Sequence, residues 1–121
     1  MQFHSRKWVK PEDLNANETL FGGRLLSWID EEAAIYAMCQ LGAKKVVTKF
    51  MSEINFVSAA IYGDVVEIGL ETVSFGRTSI TMKCEARNKD SKQKILTIEK
   101  IVFVLLDEEG NPKAHGVTLS D

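Results

Sequence analysis

A single carboxylate stands inside the most apolar stretch of this chain, Leu20 to Leu41, shortly after a Gly-Gly pair. The spacing predicts one long helix there, and residues three or four apart on a helix share a face. Asp30 then lies in a stripe with Leu26, Ala33, Ala34 and Ala37, all apolar. An acid in such a stripe loses hydration, which raises its pKa and costs free energy unless it is paired. A carboxyl moved toward neutrality can take a proton from water, the task of a general base. The same residue would serve equally as an acid satisfied by buried hydrogen bonds or as a contact between subunits. Glu31 and Glu32 project roughly 100° and 200° around the helix from it and are the rival acids.

The glycines sit at the mouth of that helix. The first N–H groups of a helix have no intrahelical partner, and the helix dipole favours negative charge. Gly22 and Gly23 lack side chains, so an anionic oxygen can approach those donors closely. The alternative is that they only permit a tight loop-to-helix junction, with Thr19 capping it. No metal is expected: the two histidines, His4 and His115, stand near the two ends, and no cluster has ligand spacing. Cys39 and Cys84 are far apart in sequence and read as two buried free thiols.

Beyond Gly42, a fitting helix stop, the hydrophobic period becomes two. In Val46 to Phe56 the even positions Val46, Phe50, Ile54 and Phe56 are apolar, with Lys49, Glu53 and Asn55 between them. Ile61 to Asp64 reads as a turn. From Val65 to Phe75 the inward row is Val66, Ile68 and Leu70, against outward Glu67 and Glu71. Gly76-Arg77 is a second tight turn, followed by inward Ile80, Met82, Cys84 and Ala86. Arg87 to Lys94 reads as a solvated hairpin tip, with a ligand role for Lys89, Lys92 and Lys94 as the lesser alternative. The last strand, Ile95 to Asp107, is apolar at both parities from Ile101 to Leu106. One helix can cover only one of its faces, so the other is expected to meet another chain. A short strand, a buried helix and four antiparallel strands give an α+β domain, a sheet wrapped round one central helix.

With 45% hydrophobic residues, the chain reads as one domain over 1–121. Its core is expected at about 5–113, with a mobile C-terminal tail. A net charge of −2 gives no general attraction for nucleic acid. No segment approaches the ~18 apolar residues of a membrane span, and the N-terminus has no apolar export core. A cytoplasmic protein without a membrane partner is expected.

Three segments carry a further reading. Asn15-Ala16-Asn17 running into Leu20-Phe21-Gly22-Gly23, Trp28-Ile29-Asp30-Glu31-Glu32-Ala33, and Phe75-Gly76-Arg77-Thr78-Ser79 resemble the hotdog-fold acyl-CoA thioesterases. The branch is that of the cytosolic acyl-CoA hydrolases. Val47-Thr48, Ile54-Asn55-Phe56 and Gly63-Asp64 add support. The chain departs from the family pattern twice. Glu18 stands where the motif most often has glycine, and Ser58-Ala59-Ala60 stands where a proline-containing turn is common.

The resemblance implies hydrolysis of an acyl-CoA thioester to a free carboxylic acid and coenzyme A, with no cofactor beyond the coenzyme A of the substrate. It implies Asp30 as the acid that activates water, covalent attack by Asp30 being the minority route. The helix N-terminus at Gly22 and Gly23 would stabilise the oxyanion, a contribution of roughly 10²- to 10³-fold. Asn15 would position the water or the thioester carbonyl, because an amide both donates and accepts. The resemblance suggests that it does so in the facing subunit. Asn17 is its rival, and either could instead shape the loop as an Asx turn. Thr48, Ser52 and Ser58 are candidate lining residues, with ordinary strand roles as the alternative. Gly76, Arg77, Thr78 and Ser79 would meet coenzyme A, the guanidinium forking onto phosphate and exposed N–H groups meeting the pantetheine amides. An ordinary hairpin turn with a solvated arginine is the alternative there.

Assembly follows the same resemblance: a dimer with its helices side by side, and a trimer of dimers. Were the whole segment helical, Asn15 and Asp30 would be roughly 20 Å apart, which favours a site shared across a two-fold axis. Two other functions compete. A hotdog dehydratase would need a histidine near the helix, and this helix has none. A non-catalytic acyl-CoA sensor would need an output element, and no DNA-binding helix pair or basic arm is seen.

Overall fold

Helix α1 spans Gly22–Leu41 and stops where Gly42 enters the left-handed region at φ 64°, its N–H bonding to the carbonyl of Met38. This computed structural model describes residues 1–119. One row of the helix is buried, Leu25, Ile29, Ala33, Ala37 and Leu41, each four residues after the last. The alanines in the middle of that row let the helix backbone lie close to the sheet.

The sheet has five antiparallel strands: β1 (Gln2–Trp8), β2 (Val46–Phe56), β3 (Val65–Phe75), β4 (Ser79–Asn88) and β5 (Lys94–Leu105), in the order β1-β3-β4-β5-β2. The α+β arrangement is the one the periodicities predict. Val66 and Ile68 on β3, Ile80, Met82, Cys84 and Ala86 on β4, and Ile101, Phe103 and Leu105 on β5 are all buried against the helix. Phe103 is the largest fully buried side chain, and truncating it to alanine would cost about 3–5 kcal/mol.

Several expectations change in the structure. The even-position row of β2 is not kept. A register shift between Thr48 and Phe50 inserts Lys49 as an extra residue, and a bulge flips the faces that follow it. Phe50 is therefore exposed while Met51 packs toward the core. Glu53 adds a second irregularity, at φ 56°. Helix α1 is not covered on several sides within one chain: Ile35 is exposed, and so is Cys39, which was expected to be buried. Cys84 is buried, and burial, helped by the charge of Glu85, pushes its thiol up to about 12, which makes it inert.

Glu67 is buried on the outer face of the sheet, only 4% exposed. Arg87 Nε donates to its carboxylate at 2.7 Å and Lys92 Nζ at 3.0 Å. Arg87 also lies over the ring of Phe3, 3.6 Å from its centroid. Burial pushes the Glu67 carboxyl up, but the hydrogen bonds and charges of Arg87 and Lys92 outweigh this and hold it below its ordinary value. The hairpin tip is exposed as expected, and from it Lys92, at φ 64°, reaches back to make this contact while its side chain stays largely in solvent. The second row of β5 also needs no other chain at Val104, which is 7% exposed, and Val102 and Leu106 are half-buried. Exposed large apolar residues include Val47, Phe50 and Phe56 on β2, Phe21, Ile61 and Tyr62 around the start of α1, and, elsewhere, Trp8, Ile35 and Val73.

The segment after β5 makes fixed contacts as far as Val117. Pro112 bridges to Leu106, the N–H of Lys113 donates to Leu105, and Val117 packs toward the core. The final residues of the expected mobile tail, 120–121, lie outside the described residues.

Candidate active site

The approach to α1 is built from short polar bonds. A 3₁₀ turn, Pro11–Asp13, precedes the loop, and the carbonyl of Asp13 accepts the N–H of Phe21, the N-cap residue. No side chain caps α1. Thr19 is occupied elsewhere, so the capping alternative does not hold. The first-turn N–H groups therefore keep the unpartnered character of an open helix start. A Cβ at Gly22 would meet the ring of Phe56 at 3.1 Å, and one at Gly23 the ring of Phe21 at 3.1 Å. Two exposed aromatic rings thus flank the first turn, and the glycines leave the space between.

Asn15 folds the preceding loop on itself. Its Oδ1 accepts the N–H of Asn17 at 2.8 Å and of Thr19 at 3.2 Å, while its Nδ2 donates to Thr19 Oγ1 at 3.0 Å. This is the Asx-turn alternative, and the segment is not helical, so the straight-helix separation from Asp30 does not apply. Asn17 contributes its backbone N–H and keeps an exposed side chain. Glu18 sits at the apex with φ 62°, a left-handed conformation that glycine adopts without strain.

Asp30 lies one residue off the buried row, on the flank of α1 that faces β2. Its carboxylate is partly exposed rather than buried in an apolar stripe, and Thr48 Oγ1 donates to its Oδ1 at 2.6 Å. Fixing Oδ1 leaves Oδ2 as a free acceptor. Glu31 is exposed and Glu32 lines a cleft on the opposite flank with Tyr36 and Cys39, so neither shares this position.

Strand register places the remaining candidates. Thr48 and Ile80 both pair with Phe103 from opposite sides, so their backbones are roughly 10 Å apart. The Gly76–Ser79 turn thus belongs to the same end of the sheet as Thr48 and Asp30. Phe56, which touches the start of the helix, pairs with Leu96 at the other end of β2. Ser58 lies beside that end, its Oγ donating to the carbonyl of Lys94 at 2.5 Å. The candidate residues of one chain therefore fall into two groups. Gly22, Gly23, Asn15, Asn17 and Ser58 gather at the helix start, and Asp30, Thr48 and the Arg77 turn gather at the far end of β2. Along α1, Gly23 and Asp30 are separated by roughly 10 Å.

Residues 17–95 match the family model of the thioesterase superfamily. The chain belongs to that superfamily. It is 36% identical over 114 residues to an uncharacterized acyl-CoA thioester hydrolase of Buchnera aphidicola subsp. Baizongia pistaciae, covering 89% of this chain and 84% of that protein. The hexameric thioesterase y2039 from Yersinia pestis superposes with a TM-score of 0.86 at 30% identity, covering 93% of each chain. An acyl-CoA hydrolase from Staphylococcus aureus, solved with butyryl coenzyme A, coenzyme A and coenzyme A disulfide, gives a TM-score of 0.81 at 34% identity. That match covers 91% of this chain and 66% of that one. Alanine variants of the same hydrolase at an asparagine, a threonine and an aspartate have also been solved. One helix against a five-stranded antiparallel sheet is thus the hotdog fold of a thioesterase.

Within this thioesterase chain, two side chains near the candidate site escaped the sequence reading. His115 braces the Arg77 turn: its Nε2 bonds to the carbonyl of Ser79 at 2.8 Å, its N–H donates to the carbonyl of Arg77, and its ring packs edge-on against Phe75. Because Nδ1 accepts the N–H of Val117, Nε2 is the nitrogen that carries the proton. Arg77 itself is exposed and free to meet a ligand, and a Cβ at Gly76 would overlap Ser79 Oγ. The other is Asp13, 3% exposed beneath the helix start. Its signal was faint: a carboxylate three residues after Lys10, with Pro11 between. Among the described residues, no three His, Cys, Asp or Glu side chains are grouped so as to hold a metal ion. No helix among them is long and apolar enough to cross a membrane.

Proposed function

We propose that this thioesterase hydrolyses acyl-CoA, releasing a free carboxylic acid and coenzyme A, and that its active site is completed between two copies of the chain. The observation that carries the reading is the division of the site residues into two half-sites at the two ends of β2. A carbonyl carbon under attack must lie within about 3 Å of both the oxyanion donors and the nucleophile. Along one helix Gly23 and Asp30 would be bridged only by a fully extended line of carbonyl and water, whereas two helices side by side in opposite directions set the start of one against Asp30 of the other. The exposed Phe21, Phe56, Val57, Ile61 and Tyr62 would be covered by such pairing. In the Staphylococcus aureus hydrolase the altered asparagine and aspartate are 15 residues apart, the interval between Asn15 and Asp30.

In this reading Asp30, oriented by Thr48, takes a proton from water through Oδ2. The water oxygen bonds to the thioester carbon, and the carbonyl electron pair moves onto oxygen, where the N–H groups of Gly22 and Gly23 stabilise it. Collapse breaks the C–S bond, and the proton held by Asp30 passes to the departing thiolate. Asn15 and Asn17 shape the loop at the helix start, Asn15 also orienting water or carbonyl, with Ser58 lining the slot. Gly76, Arg77, Thr78 and Ser79 hold the coenzyme A moiety. The domain is read as extending over the whole of 1–121, as acting in the cytoplasm without a further cofactor, and as assembling through dimers into a trimer of dimers.

Free-thiol release measured over acyl-CoA substrates from short to long chains tests the activity. Asp30→Asn should lower turnover by roughly 10²- to 10⁴-fold with assembly unchanged. Co-refolding Asn15→Ala with Asp30→Asn chains should partly restore it, since a mixed dimer regains one intact site. A wild-type protein without turnover overturns the activity, and demonstrated mixed dimers without rescue overturn the shared site.

A further inference from the structure

We propose that Asp13 is a positioning residue for this reaction, acting with Arg24 to hold the first turn of α1 and the Asn15 loop in register; the proposal rests on the thioesterase reading above. Asp13 is only 3% exposed, and besides taking the N–H of Lys10 as the capping-box acid of the 3₁₀ turn it reaches a second element. Its carboxylate touches the 3₁₀ turn that leads into the Asn15 loop and, through Arg24, the first turn of α1. Oδ2 accepts the N–H of Lys10 at 2.9 Å, with Lys10 Nζ at 3.8 Å, and Oδ1 faces Arg24 Nε at 3.3 Å. Its carbonyl accepts the N–H of Phe21 at 2.9 Å, and the Asn15 turn begins two residues later. A single residue thus clasps the 3₁₀ turn, the N-cap and the first turn of the helix.

Stability alone gives a poor account of the arrangement. Taking a carboxylate out of water offsets much of what its ion pairs return, and a cation such as Arg24 in a first helical turn opposes the helix dipole. For an anion-stabilising site the combination has a use. An unpaired Asp13 beside the first-turn N–H groups would repel a developing oxyanion, and Arg24 and Lys10 compensate that charge. Asp13 keeps the geometry, and its cations keep its own charge from working against the chemistry.

The test uses Asp13→Asn, Arg24→Gln and the double variant in the full chain, with wild-type assembly verified by sedimentation and folding by circular dichroism at the assay temperature. Arg24 is half-exposed, so its variant keeps the test alive if Asp13→Asn fails to fold. Each single variant should lower kcat by about 10- to 100-fold with KM little changed, since a small misplacement of catalytic groups acts on the transition state. The double variant should be no worse than the more damaged single, because one clasp is opened either way. Amide exchange of the peptide containing Phe21 should quicken in all three, a readout independent of turnover. Unchanged kcat in a folded variant, a loss confined to KM, or losses that multiply in the double variant would each overturn the proposal. An inactive wild type would instead overturn the thioesterase reading, and this role with it.

Discussion

Replacing Gly23 by alanine should set stability and catalysis against each other in one molecule. Gly23 lies in the first turn of α1 with helical backbone, and a glycine there is less favourable than alanine by up to roughly 0.5–1 kcal/mol. The added methyl would meet Phe21 Cε2 at 3.1 Å. That ring is 56% exposed and can swing away by the few tenths of an ångström required. Gly23→Ala should therefore fold and gain up to about 0.5 kcal/mol, the helix end counting for less than its middle. For a domain of this size that is a rise in Tm of roughly 1–3 °C. In the proposed mechanism the same methyl would crowd the approach of the oxyanion, and loss of one oxyanion contact is worth about 10²- to 10³-fold in kcat, ~2.7–4 kcal/mol. Thermal unfolding followed by circular dichroism and free-thiol release from acyl-CoA read the two effects separately. A folded, assembled variant with wild-type kcat would refute the oxyanion assignment. A fall in Tm would refute the packing argument.

Arg77→Ala should raise KM for acyl-CoA far more than for a small thioester lacking the nucleotide, with kcat little changed; equal losses on both substrates would count against a phosphate contact. Glu18→Gly should raise Tm, because a side chain in the left-handed region costs about 1–2 kcal/mol, part of which the greater freedom of unfolded glycine cancels; a lower Tm would show that Glu18 makes a compensating contact. The Glu67 carboxyl is held below its ordinary value in the folded chain, so its stabilising share is present above the unfolded value and lost as pH falls through the folded one. Glu67→Gln should therefore be less stable than wild type at neutral pH, with the difference shrinking in acid; a difference constant with pH would remove the ion pair as its cause.

Strand β4 and the first half of β3 were legible because each carries one row against the helix, and a period of two has only one reading when one face is buried; in β5 the buried row passes from Leu96 and Ile98 to Ile101, Phe103 and Leu105 across a register shift, and only the latter part was read. β2 was not, because a bulge leaves the local composition unchanged while exchanging the faces: nothing in Thr48-Lys49-Phe50 announces the extra residue. Glu67 looked merely outward since its partners, Arg87 and Lys92, are remote in sequence. Asp30 and the glycines stood out through their types alone, an acid and two missing side chains in an apolar segment. What the acid meets did not, for Thr48 reaches it only after β2 has crossed the helix. Asp13 and His115 bond to backbone groups, the N–H of Lys10 and the carbonyl of Ser79, which every such residue possesses, and so left little mark on the pattern.

The irregularities of β2 also bear on how the protein remains in solution while it is being made. An edge strand bearing Val47, Phe50, Ile54 and Phe56 is the sort of segment from which cross-β aggregates grow. Such growth needs a continuous ladder of backbone donors and acceptors. The extra residue at Lys49 and the left-handed Glu53 cut β2 into runs of three, 46–48, 50–52 and 54–56. Each interruption carries a charge, so an in-register stack would pile lysine on lysine and glutamate on glutamate, an arrangement that repels. One partner in one register can be accommodated by such an edge; an endless succession of copies cannot.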